Sequence, residues 1–240
     1  MAATDTRQRI LDAALAAFLD QGYEQTTIAD IRARSGTSNG ALFHHFRSKE
    51  AIADGLYVAA ISSFQEGLRE LIQRRPRSLR TAVREAIGHQ LRWTEQHPDL
   101  ARFIYLRGHP DWDTPGGTEL AMLNRELAGG FRAWLAPLAE RGEIRPMPML
   151  VMTAIVSGPA HAIARRWLAG QVRGALTGFT DELAEAAWAG LRGTPVRARP
   201  GTPPPASGTV TFEFVSGDGA VVARGRATAQ LEPAEANPGG

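Results

Sequence analysis

Residues 26–50 read "TTIADIRARSGTSNGALFHHFRSKE". They gather the hydroxyls of Thr27, Thr37 and Ser38, the amide of Asn39, two adjacent histidines and Lys49, the one lysine in the chain. Two chemistries compete for such a set: metal or general-base work by the histidines, and hydrogen bonding to a polyanion. Adjacent residues on a helix point about 100° apart, so His44 and His45 do not chelate one ion together. Their i+4 positions hold Ser48 and Lys49, which bring no second ligand. Asn39 can bond two edges of an adenine, and Ser and Thr hydroxyls bond bases or phosphates. Lys49 is a point charge suited to a phosphate, with His44 and Arg47 placed to add to the clamp. The stretch reads as a grip on a polyanion, and no metal or cofactor is expected.

Positioning those groups requires short, well-capped helices. Ile10, Leu11, Ala14, Leu15, Phe18 and Leu19 fall at helical spacing, with Gly22 as a stop. Thr27 followed by Asp30 has the form of a capping box, with Asp in the usual Glu place. That second helix ends near Ser35 and Gly36, where glycine takes the left-handed conformation of a tight turn. Thr37 or Ser38 caps a third helix, and Ser48 a fourth that runs on past Leu68. Leu42 and Phe46, at i and i+4, face the core. Ser38, Asn39, Gly40 and Ala41 are left near an exposed helix start, where small residues let a partner backbone come close.

This pattern resembles the N-terminal DNA-binding domain of the TetR/AcrR family of one-component repressors. The likeness rests on "ILDAALAAFLDQGYEQTTIADIRARSGTSNGALFHHFRSKEAI": Gly22–Tyr23, Thr26–Thr27, Gly40, the aromatic-histidine run ending at Phe46, and Lys49–Glu50. The resemblance implies phosphate contacts from Thr27 and Lys49, base or phosphate contacts from Thr37, Ser38 and Asn39, close approach at Gly40, and a backbone contact from His44. The family often carries tyrosine where this chain has Phe43, so a hydroxyl–phosphate contact is lost and stacking or van der Waals contact is expected. The resemblance also implies a homodimer on double-stranded operator DNA, a small, largely apolar effector, and repression released by that effector. In residues 1–50, Arg7, Arg9, Arg32, Arg34, Arg47 and Lys49 are balanced by Asp5, Asp12, Asp20, Glu24, Asp30 and Glu50. Affinity must therefore rest on arrangement and on two heads acting together.

The expected fold class is all-α: a helix-turn-helix domain at 1–50, then a helical sensing and dimerisation domain at 51–195. Pro76 and Ser78 break and restart the helical pattern. The seven arginines between Arg69 and Arg92 read as a solvated face or charged connector. Leu120, Leu123, Leu127, Phe131, Trp134, Leu135 and Leu138 line one side of a long helix. The uncharged run at 146–164 reads as a buried helix, interrupted by prolines, and not as a membrane span. Helices at about 148–170 and 180–192 resemble the family's dimerisation pair. A sensor needs an apolar pocket with a few polar groups, and the candidates for its lining are Trp93, Phe103, Tyr105, Trp112, Met122, Phe131, Trp134, Met152 and His161. "HPD" occurs at 97–99 and 109–111; the first reads as a helix start and the second as part of a loop.

The chain has 240 residues, 43% of them hydrophobic, with a net charge of +2 and no cysteine. Disulfides, thiolate zinc sites and cysteine nucleophiles are excluded, and a reducing, cytoplasmic setting fits. No glycine-rich phosphate loop, nucleophile elbow or carboxylate pair stands out, so an enzyme is not expected. Residues 196–208 have linker composition. Residues 209–231 alternate as a β-hairpin, and residues 232–240 read as a disordered tail. The hairpin is similar to the last two strands of hotdog-fold acyl-thioesterases. That similarity keeps open an acyl-thioester-binding or hydrolysing protein, beside a helical scaffold with a vestigial head.

Overall fold

The computed structural model describes residues 2–76, 78–108, 110–192, 207–215 and 221–230. Residues 1–194 form one compact unit and residues 195–240 a second.

The first unit is helical. Helix α1 (Ala2–Gln21) is followed by α2 (Ile28–Ser35), α3 (Asn39–His45) and α4 (Lys49–Arg74). The starts of α2, α3 and α4 are capped as their residue types dictate. Thr27 and Asp30 form a reciprocal capping box, and the Ser38 and Ser48 hydroxyls accept from the Ala41 and Ala51 N–H at 3.1 Å. These caps satisfy donors that a helix start otherwise leaves open. Gly36 closes α2 with φ 63°, and Arg9 Nη2 donates to the Ser35 carbonyl at 2.6 Å. The α2–α3 turn is thus tied to α1. Ile10, Leu11, Ile31 and Leu42 are completely buried beneath it.

That core continues into α4 through Ile52, Leu56 and Val58, and draws in Phe103 and Leu120. Phe103 belongs to α6 (Pro98–Arg107), which follows α5 (Leu79–Gln96). Pro98 occupies the first turn of α6, and Asp99 pairs with Arg102 at 2.9 Å, so the first "HPD" is a helix start. His109 of the second lies outside the described residues. Leu120 belongs to α7 (Pro115–Glu140), which Thr114 caps through the Gly117 N–H at 3.0 Å. A second core joins α5 and α7 to α8 (Met149–Leu168) and α9 (Thr180–Leu191) through Ile87, Leu91, Leu135, Ala160, Leu176 and Leu191.

Helix α8 is not buried all round, as the uncharged run suggested. Met152, Ala160 and Ala164 face the core, whereas Leu150 is 81% and Val151 41% exposed. Among the described residues no helix is long and apolar enough to cross a membrane. The arginine-rich connector is a solvated, ion-paired surface: Arg74 meets Glu85, Arg80 meets Glu185 and Arg84 meets Asp181.

In the second unit, β1 (Ser207–Val215) and β2 (Val221–Gln230) pair antiparallel, from Ser207 opposite Gln230 to Val215 opposite Val221, with an irregularity at Phe214 and Val215. Residues 196–206 of the expected linker, the "SGDG" turn and the tail at 232–240 lie outside the described residues.

Candidate functional site

Helix α3 presents the expected reading residues to solvent. Ser38, Asn39, Gly40, Phe43 and His44 are exposed and Thr37 is half-buried. The split follows from helical spacing: Leu42 and Phe46 are buried, and Phe43 and His44 between them turn outward. Ser38 Oγ accepts from Ala41 N as a cap, which leaves its O–H proton free to donate. The Thr37 and Ser35 hydroxyls share a 2.8 Å hydrogen bond. A Cβ added at Gly40 would meet nothing within 4 Å, so packing inside this chain does not require glycine there.

Thr27 and Lys49 are more committed than the sequence suggests. Thr27 donates its N–H (2.8 Å) and its hydroxyl (2.7 Å) to Asp30 Oδ2, and these bonds hold the Asp30 carboxyl below its ordinary pKa. Lys49 Nζ donates to the carbonyls of Tyr23 (2.9 Å) and Glu24 (3.3 Å) and lies 4.5 Å from the centre of the Tyr23 ring. It ties the α1–α2 loop to the start of α4 and keeps one of its three N–H groups. Arg34 is paired with Asp20 at 2.6 Å. Arg32 and Arg47 are exposed and enter no ion pair among the described residues. The sequence reading had singled out Arg47 but not Arg32. His44 is exposed and His45 half-buried, their rings 5.2 Å apart. No group of three His, Asp or Glu among the described residues is placed to hold a metal ion.

Beneath the head, Arg107 from the end of α6 reaches Asp54 of α4 at 2.7 Å. Thr114 Oγ1 donates to the same carboxylate at 3.0 Å. The Arg107 guanidinium also lies 4.9 Å from the Tyr23 ring. Tyr23 thus has two cations over its ring, Lys49 and Arg107; burial and then Glu50 raise its pKa. Sequence reasoning missed this joint, because Asp54, Arg107 and Thr114 come together only when α4, α6 and α7 pack.

A cavity of about 490 Å³ lies among α4–α8 and the end of α9. Trp93, Tyr105, Phe131, Trp134, Met152 and His161 line it, but Phe103, Trp112 and Met122 do not. Phe103 stacks on Phe18 at 5.8 Å in the head core. Two residues further along α6 the helix has turned by about 200°, which takes Tyr105 to the cavity. Trp112 and Met122 are 49% and 54% exposed; Trp112 precedes α7 and Met122 lies off its apolar stripe. The stripe itself is divided: Leu120 packs under the head, Leu127, Phe131 and Trp134 face the cavity, and Leu135 borders both cavity and second core.

Among the described residues the lining contains no Asp, Glu, Lys or Arg. Tyr105 Oη and His161 Nδ1 share a 2.7 Å hydrogen bond. Desolvation raises the Tyr105 pKa to about 12 and lowers that of His161, so both are neutral near pH 7. Gln65 Nε2 donates to Asn124 Oδ1 at 2.7 Å, while Gln65 Oε1 is buried without a partner. Neither Gln65 nor Asn124 was anticipated. The available signal was a polar residue at inward spacing between apolar ones: Gln65 follows Ile61 and Phe64 and precedes Leu68.

Residues 10–56 match the family model for bacterial regulatory proteins of the tetR family. The chain is 30% identical over 171 residues to the A-factor receptor protein of Streptomyces griseus, covering 65% of this chain and 52% of that one. It is 33% identical over 113 residues to an HTH-type transcriptional repressor of Mycobacterium tuberculosis, covering 40% of this chain and 60% of the relative. It spans about half the length of the curated relatives it matches. The regulator FadR of Bacillus subtilis, solved in complex with stearoyl-CoA, shares the fold with a TM-score of 0.64 at 17% identity, over 76% of this chain and 98% of that one. The acyl-thioesterase alternative finds no support: the family model and the relatives named above are transcription regulators, and among the described residues β1 and β2 make a two-stranded sheet. With its helix-turn-helix at residues 10–56 in register with the tetR-family model and a helical body that shares the fold of FadR, the chain is similar to bacterial regulatory proteins of the tetR family.

Proposed function

We propose that this protein is a dimeric, cytoplasmic transcriptional repressor that holds operator DNA through α3 and releases it when a small, largely apolar effector fills the α4–α8 cavity. The observation that carries this reading is the surface of α3. Ser38, Asn39, Gly40, Phe43 and His44 are turned to solvent from a helix whose other side is locked in the core. Asn39 has the donor–acceptor pair that matches adenine. Gly40 leaves room that the chain itself does not use, as a close DNA backbone requires. Arg32, Arg47 and the remaining Lys49 N–H supply phosphate contacts, and Thr27 would exchange one bond to Asp30 for a phosphate. Helices α8 and α9 form the dimer contact in this reading; the exposed Leu150 and Val151 suit burial against a second copy. The effector acts by shifting the population of operator-competent dimers.

Footprinting on the DNA flanking the protein's own gene tests this. Asn39→Ala should relax base preference at one position per half-site, at a cost of about 1–3 kcal/mol if the contact is bidentate. Lys49→Ala should weaken all sequences alike and reduce the salt slope by about 1. Equal losses on specific and random DNA for both variants would remove Asn39 from base reading.

A further inference from the structure

The reading above leaves the chemistry of the effector open, and the cavity wall narrows it. Most of the lining is hydrocarbon and aromatic, and none of it carries a formal charge. Arg165 is close enough to act on Tyr105 electrostatically, but it is not part of the lining. An ionised ligand would lose its hydration with no counter-charge on the wall. Several polar groups at the wall are occupied internally: the Trp93 indole N–H donates to Ser63 Oγ at 3.2 Å, and the Thr94 hydroxyl donates to the Gln90 carbonyl at 3.0 Å. Gln65 differs. Its residue is 3% exposed, its Nε2 is bound to Asn124, and its Oε1 has no partner. A buried acceptor left open in this way is costly to the empty protein, and a ligand donor removes the cost. Exchanging the Gln65 oxygen and nitrogen would only move the open position to the N–H side of the same amide.

We propose that the cavity takes an uncharged, mainly hydrocarbon molecule bearing a hydroxyl, and that this hydroxyl donates to Gln65 Oε1 beside Asn124. The Tyr105–His161 pair gives a second polar anchor. Whichever member donates in their mutual bond, the pair retains one further hydrogen to offer a ligand oxygen. The volume falls in the range of drug-sized ligands. Fatty carboxylates and acyl-CoA thioesters are disfavoured, because neither a carboxylate nor a polyphosphate finds a cation on the wall. This separates the chain from the FadR structure that holds stearoyl-CoA, despite the shared fold.

The inference rests on the cavity being the effector site, and the test separates the two. Full-length protein is titrated with dodecan-1-ol, its methyl ether, dodecanoate and dodecanoyl-CoA, with binding read from the fluorescence of Trp93 and Trp134 and by calorimetry. The alcohol should bind at least tenfold more tightly than the ether and than both anions. Gln65→Leu should bring alcohol and ether to equal affinity while the ether's own affinity stays within about threefold; Gln65→Met is the second variant should the first not fold. Tighter binding of either anion, no binding of any probe, or an alcohol preference that survives in the Gln65 variants would overturn the proposal. Operator binding is measured alongside. If the ranking holds but the bound alcohol leaves DNA affinity unchanged, the ligand class stands and the effector reading falls. If DNA release follows dodecanoyl-CoA instead, the effector reading stands and the ligand class falls.

Discussion

The head and the cavity solve opposite packing problems with similar apolar residues. In the head, Ile10, Leu11, Ile31 and Leu42 leave no exposed surface, and each short helix is closed by a side-chain cap. Around the cavity, Leu127, Phe131 and Trp134 line one side of a space of about 490 Å³ that no side chain of the described residues fills. On the proposed reading, a surface that presents Asn39 and Gly40 to DNA at fixed positions needs a rigid base. A site that must admit a ligand leaves part of its hydrophobic burial unmade until the ligand arrives.

Truncation should expose that contrast most strongly. Leu42→Ala should cost about 3–4 kcal/mol in chemical denaturation, because the void cannot collapse under three capped helices. Leu127→Ala, cut from a wall that already borders empty space, should cost about 1 kcal/mol or less. Equal losses would mean the cavity is as tightly packed as the head. Arg107→Ala removes the partner of a nearly buried carboxylate where the two regions join, and Asp54 keeps only Thr114. A loss of about 3 kcal/mol is expected from thermal unfolding, with Asp54→Asn milder because it removes the charge.

The two regions should also respond differently to added atoms. Gly40→Ala meets nothing within the chain, so the melting temperature should hold or rise slightly, while operator affinity falls about tenfold, worth about 1.4 kcal/mol. Ala128→Leu, placed in the cavity wall, should raise stability by about 1 kcal/mol and block ligand, leaving DNA affinity intact. A Gly40→Ala variant with full operator affinity would remove the close approach at α3. An Ala128→Leu variant that still responds to ligand would place the effector elsewhere.

The head was legible in the sequence because its signals are local. Thr27 with Asp30, Ser38, Ser48 and Gly36 mark helix ends within a few residues of where they act, and the capping box formed as its spacing implied. The cavity was legible only in part, since its wall is assembled from six helices. Trp93, Tyr105 and His161 were found by residue type, but residue type did not separate Phe103, which faces α1, from Tyr105, which faces the cavity. Gln65 and Asn124 are 59 positions apart and carry no pairwise signal. Lys49 shows the limit in the head as well: its position pointed to a phosphate, yet two of its donors hold the α1–α2 loop.

The most direct measurement is a hydroxyl-radical footprint of the purified protein on the DNA beside its gene, taken across a salt series. The account predicts two protected half-sites separated by about one helical turn or a multiple of it, bound by a dimer whose affinity falls steeply with salt. A single protected segment, or no sequence-selective protection at any salt concentration, would contradict it.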